Sequence, residues 1–298
     1  MPPLALTQLN NSTYYFPSPA NVGLYLQGSK AILIDSGSDK EAGRQILKVL
    51  KEKEIKLSLI INTHSNADHI GGNEFLQKRT GCRIAATAME AAFTEHPELE
   101  ASLLNGGFPH KRLQSKFLLA KASLVTDRIP NSGQILNTPL KAVSLSGHFL
   151  DMIAVETPDS VLFTADSVIS EEILSKYHIH FLYDVGAHFE TLEMLKKRED
   201  KLFVPSHGKP VSLPEFRALV DYNEQKIRGN ITVVLESISS PVVSEEILAN
   251  VCRYYKIELN ANQYVLIFST IRSILSYLLN DKQLEVNYND GQMLWRRL

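Results

Sequence analysis

The 298-residue sequence predicts a layered α/β protein with its chemistry at the ends of its strands. Two observations carry this. Short apolar runs alternate with segments of helical periodicity, giving the order β-β-α-β-loop-α-β over the first third of the chain. The apolar runs then end in histidine or aspartate: the stretch 64–69, His148, Asp166 and His207. A lone histidine is more often an ordinary structural residue. Four separate loops that each present His or Asp after a strand are hard to explain that way, and loops at strand ends are where α/β proteins place their chemistry.

Taken in order, residues 22–27 and 31–35 read as two strands joined by a Gly28-Ser29-Lys30 turn. Ala42, Ile46, Val49 and Leu50 share one helix face. Residues 57–62 form a buried strand, and a helix carrying Phe75 and Leu76 stops at Gly81 before the strand 83–86. Residues 88–128 interrupt this alternation. Residues 88–104 read as helical, 105–110 as a break, and the insertion as either a lid over the site or a surface excursion. His96 and His110, within it, read as surface residues. Strands resume at 142–145, 152–156 and 161–164, and a helix at 191–197 leads to the strand 202–204. His178, His180 and His188 lie close enough in sequence to line a pocket or to sit on a helix packed over the sheet. From residue 213 the texture changes. Helices are expected at 215–227, at 244–254 with Ser244 as N-cap, and at 262–279. Asn289-Asp290-Gly291 between two apolar-alternating runs signals a hairpin. Three helices and a hairpin make a winged-helix layout, so two domains are expected, 1–213 and 214–298.

Composition excludes some classes. With 44% hydrophobic and 21% charged residues and a net charge of −2, the chain reads as an ordinary globular protein with no general attraction to nucleic acid or anionic membranes. Residues 214–298 hold nine Lys and Arg against ten Asp and Glu, which argues against phosphate-backbone binding by the tail. The tail then reads as a packing or dimerisation module, and a homodimer is compatible with it. No run approaches the ~18 apolar residues of a membrane span. The stretch Met1-Pro2-Pro3-Leu4 shows no leader pattern, and the two distant cysteines, Cys82 and Cys252, read as free thiols. The expected location is the cytoplasm.

The stretch Thr63-His64-Ser65-Asn66-Ala67-Asp68-His69-Ile70-Gly71-Gly72-Asn73 holds three candidate metal ligands within six residues. Imidazole and carboxylate suit a divalent ion such as zinc. The competing reading is a polar strand-to-helix turn that happens to contain two histidines. Together with Asp35, Gly147-His148, Ala165-Asp166 and Ser206-His207-Gly208, in this order, the loop resembles the metallo-β-lactamase superfamily over roughly residues 10–212. The resemblance implies an α+β protein of the αββα sandwich type, with a metal site along one edge of two sheets. It implies one ion on His64 and His148, a second on Asp68, His69 and His207, and Asp166 bridging them. Asp35 would orient the loop from behind the ligands. The family's usual loop carries His where this chain has Asn66. A carboxamide is a weaker zinc ligand than imidazole, so the first site is expected to be looser, with one ion or two, and zinc, Mn²⁺ or Fe²⁺ as candidates.

The implied reaction is hydrolysis of a small activated ester, thioester or lactone by a metal-bound hydroxide, with Asp68 orienting the nucleophile and taking its proton. Three alternatives stand beside it. An RNA or nucleotide phosphodiesterase is suggested by the winged-helix-like tail, and a metal-binding protein with a degenerate first site by Asn66. A redox di-iron protein is disfavoured because position 66 is not Glu and no flavin domain is present. Hydrolysis of β-lactams is disfavoured by the missing export signal.

Overall fold

Alternation of side chains along buried strands decides the layering. A computed structural model describes residues 4–298. Residues 1–3, which begin the segment read as lacking a leader, lie outside the described residues. The first half contains β1 (Thr7–Gln8), β2 (Thr13–Phe16), β3 (Val22–Gln27), β4 (Lys30–Ile34), α1 (Lys40–Glu52) and β5 (Lys56–Ile61). It continues with α2 (Ala67–Ile70), α3 (Asn73–Thr80), β6 (Arg83–Ala86), α4 (Ala88–Glu95), α5 (Glu98–Asn105) and β7 (Asp127–Arg128). Strands β1 to β7 form one sheet in sequence order. Ile32, Ile34, Leu59 and Ile61 point to one of its faces, and Leu33, Ile60 and Ile84 to the other. On that outer face lie Ile46, Leu47 and Leu50 of α1 and Leu76 of α3. A sheet covered on both faces needs near-continuous apolar strands, and Ala31 to Ile34 and Leu59 to Ile61 provide them.

The second sheet runs in the order β13-β12-β11-β10-β9-β8. Its strands are β8 (Gly133–Gln134), β9 (Lys141–Ser144), β10 (Ile153–Glu156), β11 (Val161–Ala165), β12 (Leu202–Pro205) and β13 (Val211–Ser212). Between β11 and β12 lie α6 (Glu171–Tyr177) and α7 (Val185–Lys196). Ile153, Val155, Val161, Phe163 and Val204 face the first sheet and close the middle of an αββα sandwich. Ala154, Leu162 and Phe203 face outward. β4, β5 and β6 are parallel, as are β11 and β12. Parallel strands end on the same edge of a sheet. β9 is antiparallel to β10, which is antiparallel to β11, so β9 also ends beside β11.

The outer face of the second sheet is covered by α7 and the C-terminal helices α8 (Leu213–Glu236), α9 (Ser244–Tyr255) and α10 (Ala261–Asn280). Phe203 of β12 stacks on Phe216 of α8 at 3.8 Å and 6°. Capping boxes open α8 (Ser212 with Glu215) and α10 (Asn260 with Gln263). The hairpin β14 (Leu284–Asn289) and β15 (Gln292–Arg297) turns at Asp290-Gly291, both at positive φ, as the Asn-Asp-Gly signal indicates.

Two local expectations are corrected. Ser244 is not the N-cap of α9, because Val243 occupies that position and the Ser244 hydroxyl accepts from the Trp295 indole at 2.9 Å. The helical stretch 88–104 is two helices, α4 and α5, split at His96-Pro97 because proline disfavours helical geometry in the residue before it. The insertion does not stand free. Leu104, Leu113 and Leu118 pack on Val265 of α10. Among the described residues no helix is long and apolar enough to cross a membrane.

The Phe203–Phe216 stack joins the sheet to the C-terminal helices. Phe216→Ala is expected to destabilise the fold by about 3–5 kcal/mol, read as a lower midpoint in denaturant unfolding.

Candidate metal centre

Asp35 leaves the end of β4 at positive φ (63°), with its carboxylate 2% exposed beneath the loop after β5. One oxygen accepts from the Thr63 amide at 2.8 Å. The other accepts from the Thr63 hydroxyl at 2.7 Å and from His69 Nδ1 at 2.8 Å. Thr63 Oγ1 in turn lies 3.1 Å from His64 Nδ1 and accepts from it. A single buried carboxylate thereby sets the orientation of two imidazoles, directly for His69 and through Thr63 for His64. Gly71 and Gly72 follow because the turn presses on the loop after β4. A Cβ at either would sit 2.4 Å from backbone atoms of Ser38 or Ser36.

The other two imidazoles are held in the same way. His148 Nδ1 donates to the Phe181 carbonyl at 3.0 Å, and His207 Nδ1 to the Pro19 carbonyl at 2.6 Å. Gly147, at φ 122°, precedes His148 because α7 passes so close that a Cβ there would lie 2.5 Å from the His188 backbone. With every Nδ1 engaged as donor, all four Nε2 atoms point inward, and each carries a lone pair when its ring is neutral. His64 Nε2 and His69 Nε2 are buried without a hydrogen-bond partner, as is Asp166 Oδ1. Buried polar atoms are seldom left so. Asp166 Oδ1 is 3.3 Å from His69 Nε2, and Asp166 Oδ2 is 3.2 Å from His207 Nε2 and 3.7 Å from His148 Nε2. Asp68 Oδ2 lies 3.4 Å from His207 Nε2. Two groups result, His64-His148-Asp166 and Asp68-His69-His207, each with its ligand atoms within 4.8 Å of one another. Unpartnered lone pairs of imidazole and carboxylate at this spacing fit a pair of divalent cations.

The electrostatics divide along the same line. Burial, reinforced by His69, holds the His64 imidazole well below its ordinary pKa, and burial lowers His148 as well. For His207, burial opposes ionisation but the Asp166 and Asp68 carboxylates outweigh it and raise the pKa to about 9. His69 is raised well above its ordinary value against burial by Asp166, Asp68 and Asp35. Burial would raise the Asp166 pKa, but His207 and His69 hold it well below the carboxylate range. The corner containing Asp68 and Asp166 therefore attracts positive charge.

All eight residues singled out in the sequence meet here: the six candidate ligands, with Asp35 behind them and Asn66 beside His148. Asn66 Oδ1 is 3.1 Å from His148 Nε2, and Asn66 Nδ2 donates to Glu100 at 2.8 Å. His96 and His110 are on the surface. His178 stacks on Tyr255 at 4.9 Å. The ring nitrogens of His180 and His188 are buried without partners, outside both ligand groups. Two residues escaped the sequence reading. Glu90 of α4 accepts from the Ser65 amide (2.9 Å), the Ser65 hydroxyl (2.6 Å) and the Asp151 amide (2.8 Å). Burial pushes its pKa up to about 7. Glu100 of α5 is 6% exposed and is raised well above the ordinary range, again by burial first. The one signal for Glu90 was an acid set among Ala, Met and Phe; Glu100 had none, since it lies in an acidic run.

An αββα sandwich with four histidines and two aspartates gathered at one sheet edge is the layout of a metal-dependent protein. Residues 15–207 match the Metallo-beta-lactamase superfamily, and the chain belongs to it. Over 132 residues it is 35% identical to a hydroxyacylglutathione hydrolase of Cereibacter sphaeroides, a match covering 44% of this chain and 41% of that protein. The chain thus spans about two fifths of that relative's length. A beta-lactamase domain protein from Burkholderia ambifaria superposes with a TM-score of 0.75 at 16% identity, covering 98% of this chain and 93% of the other. A metallo-beta-lactamase family protein from Thermus thermophilus gives 0.73 at 17% identity, covering 100% and 99%. At 16% and 17% identity these two are likenesses of the metallo-beta-lactamase fold.

Removing the shared acceptor is expected to loosen both ligand groups together. Asp35→Ala should weaken metal retention about 10- to 100-fold, measured by elemental analysis after graded dialysis against a chelator.

Proposed function

We propose that the protein is a metal-dependent hydrolase of a small activated ester, with thioesters and lactones the first classes to test. The observation that carries this reading is the convergence of four inward-facing Nε2 atoms and two carboxylates on one partly open corner. In this reading His64, His148 and Asp166 hold one ion, and Asp68, His69 and His207 hold a second. Asp166 lies between the two groups, with Oδ1 3.3 Å from His69 Nε2 and Oδ2 3.2 Å from His207 Nε2 and 3.7 Å from His148 Nε2, and would serve both ions. When bound, the ions would act as Lewis acids and bring the pKa of water at the site from 15.7 to about 7. Zinc is the first candidate, with Mn²⁺ and Fe²⁺ next.

The chain's own residues supply the rest. The Asp68 side chain is 43% exposed and is the most accessible of the ligand carboxylates. It is placed to take the proton of an attacking water and to return it to the leaving thiol or alcohol as the C–S or C–O bond breaks. Asp35, the Phe181 carbonyl and the Pro19 carbonyl keep the imidazoles in one tautomer. A cavity of about 340 Å³ opens beside His207, lined by Tyr15, Ser18, Ser170, Glu172 and Lys209 among others. Its size suits a small molecule better than a polymer. The hydroxyacylglutathione hydrolase likeness supports the thioester class.

We further read residues 1–213 as the metal-binding unit and 214–298 as an accessory unit of winged-helix layout. The helix order α8-α9-α10, the terminal hairpin and the Val242–Trp295 bridge support this. The near balance of charge in the accessory unit favours a packing role, with a homodimer as its simplest assembly, over a phosphodiesterase acting on RNA. We propose a cytoplasmic location, in keeping with Cys82 and Cys252 both being free thiols.

Stripping the protein with a chelator is expected to abolish turnover of a model thioester, and adding back Zn²⁺ or Mn²⁺ to restore it, followed by release of free thiol. Asp68→Ala should lower kcat about 10²- to 10⁴-fold. Full activity in the stripped protein would overturn the reading.

A further inference from the structure

Position 66 departs from the family's loop, and the structure surrounds it with a group that the sequence did not single out. Asn66 stands at the N-cap of α2, yet its side chain makes no cap bond to that helix. It points the other way, with Nδ2 donating to Glu100 and Oδ1 at 3.1 Å from His148 Nε2. Because His148 Nδ1 donates to the Phe181 carbonyl, Nε2 presents a lone pair toward that amide oxygen. Two acceptors facing each other this closely repel unless a cation lies between them. Two donors on one ion at about 2.05 Å stand about 2.9 Å apart in an octahedral site and about 3.3 Å apart in a tetrahedral one. The observed 3.1 Å falls between these values.

We propose that Glu100 is a positioning residue: it holds the Asn66 carboxamide with Oδ1 inward, so that Asn66 joins His64, His148 and Asp166 as the fourth donor of the first metal site. This rests on the metal-centre reading above. Glu100 Oε1 accepts from Nδ2, and this contact leaves Oδ1 turned toward His148 Nε2. The resulting donor set is two imidazole nitrogens and two oxygens, harder than a set with three imidazoles, and it shifts the first site from zinc toward Mn²⁺. Glu100 comes from α5, so the insertion supplies the brace for the first site, while Glu90 of α4 braces the same loop at Ser65.

The test is Zn²⁺ and Mn²⁺ binding to the full chain by competition with a chromophoric chelator, with elemental analysis for stoichiometry and the unfolding midpoint of the metal-free protein as the folding control. Asn66→Ala and Glu100→Ala should each weaken the first ion about 10- to 100-fold and leave the second unchanged. The double variant should be no weaker than Asn66→Ala alone, since the two residues act through one donor. Glu100→Gln, which keeps an oxygen acceptor for Nδ2, should bind within a few-fold of the parent. Asn66→His should raise the Zn²⁺ over Mn²⁺ preference of the first site. Parent-level binding of two ions by folded Glu100→Ala overturns the proposal and leaves the metal centre standing, as do additive losses in the double variant. Should Glu100→Ala not fold, Asn66→Ala decides, and undiminished binding of both ions overturns the proposal. A parent that binds no ion overturns the metal-centre reading and this proposal together.

Discussion

The Asp35 carboxylate is the constraint on which the rest of the site depends. It is buried, and it accepts from the Thr63 amide, the Thr63 hydroxyl and His69 Nδ1. A buried carboxylate without such partners would be costly. With them it becomes the fixed point that gives two imidazoles one tautomer and one direction. The backbone pays in local strain, since Asp35 and Ala165, the residue before Asp166, both adopt positive φ. Neither position is glycine, and both lie at strand ends where a candidate ligand or its anchor must turn out of the sheet.

The fold serves this geometry through strand direction. In each sheet, strands running the same way end on one edge, so loops distant in sequence meet there without long connections. Period-two alternation keeps the sandwich interior apolar up to the last residue before each loop, as in Ile34 before Asp35 and Ile61 before Asn62. Polarity changes abruptly at the edge, and the candidate ligands sit at the boundary, four of them buried while Asp68 and His207 reach toward water.

That abrupt change is why so much was legible in the sequence. Apolar runs ending in Asp35, His64, Asp166 and His207 marked both the strands and the edge, and Asn289-Asp290-Gly291 marked the hairpin. Less legible were features decided by partners far along the chain. Ser244 looks like a helix cap in isolation and is claimed instead by Trp295. Glu100 looks like a solvated acid and is buried, because α5 is clamped between the metal loop and α10 through Leu104 and Val265. The Phe181 and Pro19 carbonyls carry no side-chain signature at all. Local pattern reveals which residues are chemical, whereas the choice of tautomer belongs to the backbone of other loops.

The bond from His207 to the Pro19 carbonyl joins residues 188 positions apart, and Asn21, in the same loop, donates to the Pro205 and Gly208 carbonyls. The connection between β2 and β3 therefore holds the final candidate ligand in place. This has a consequence for the order of events during synthesis. The His64 to His69 loop emerges early and offers only part of a coordination sphere, while His207 arrives after two thirds of the chain has been made and must return to the connection between β2 and β3. Long-range closure of this kind is slow relative to helix or hairpin formation. A nascent chain meeting free metal would hold it weakly until that closure, so tight retention would mark the moment at which the sandwich is complete.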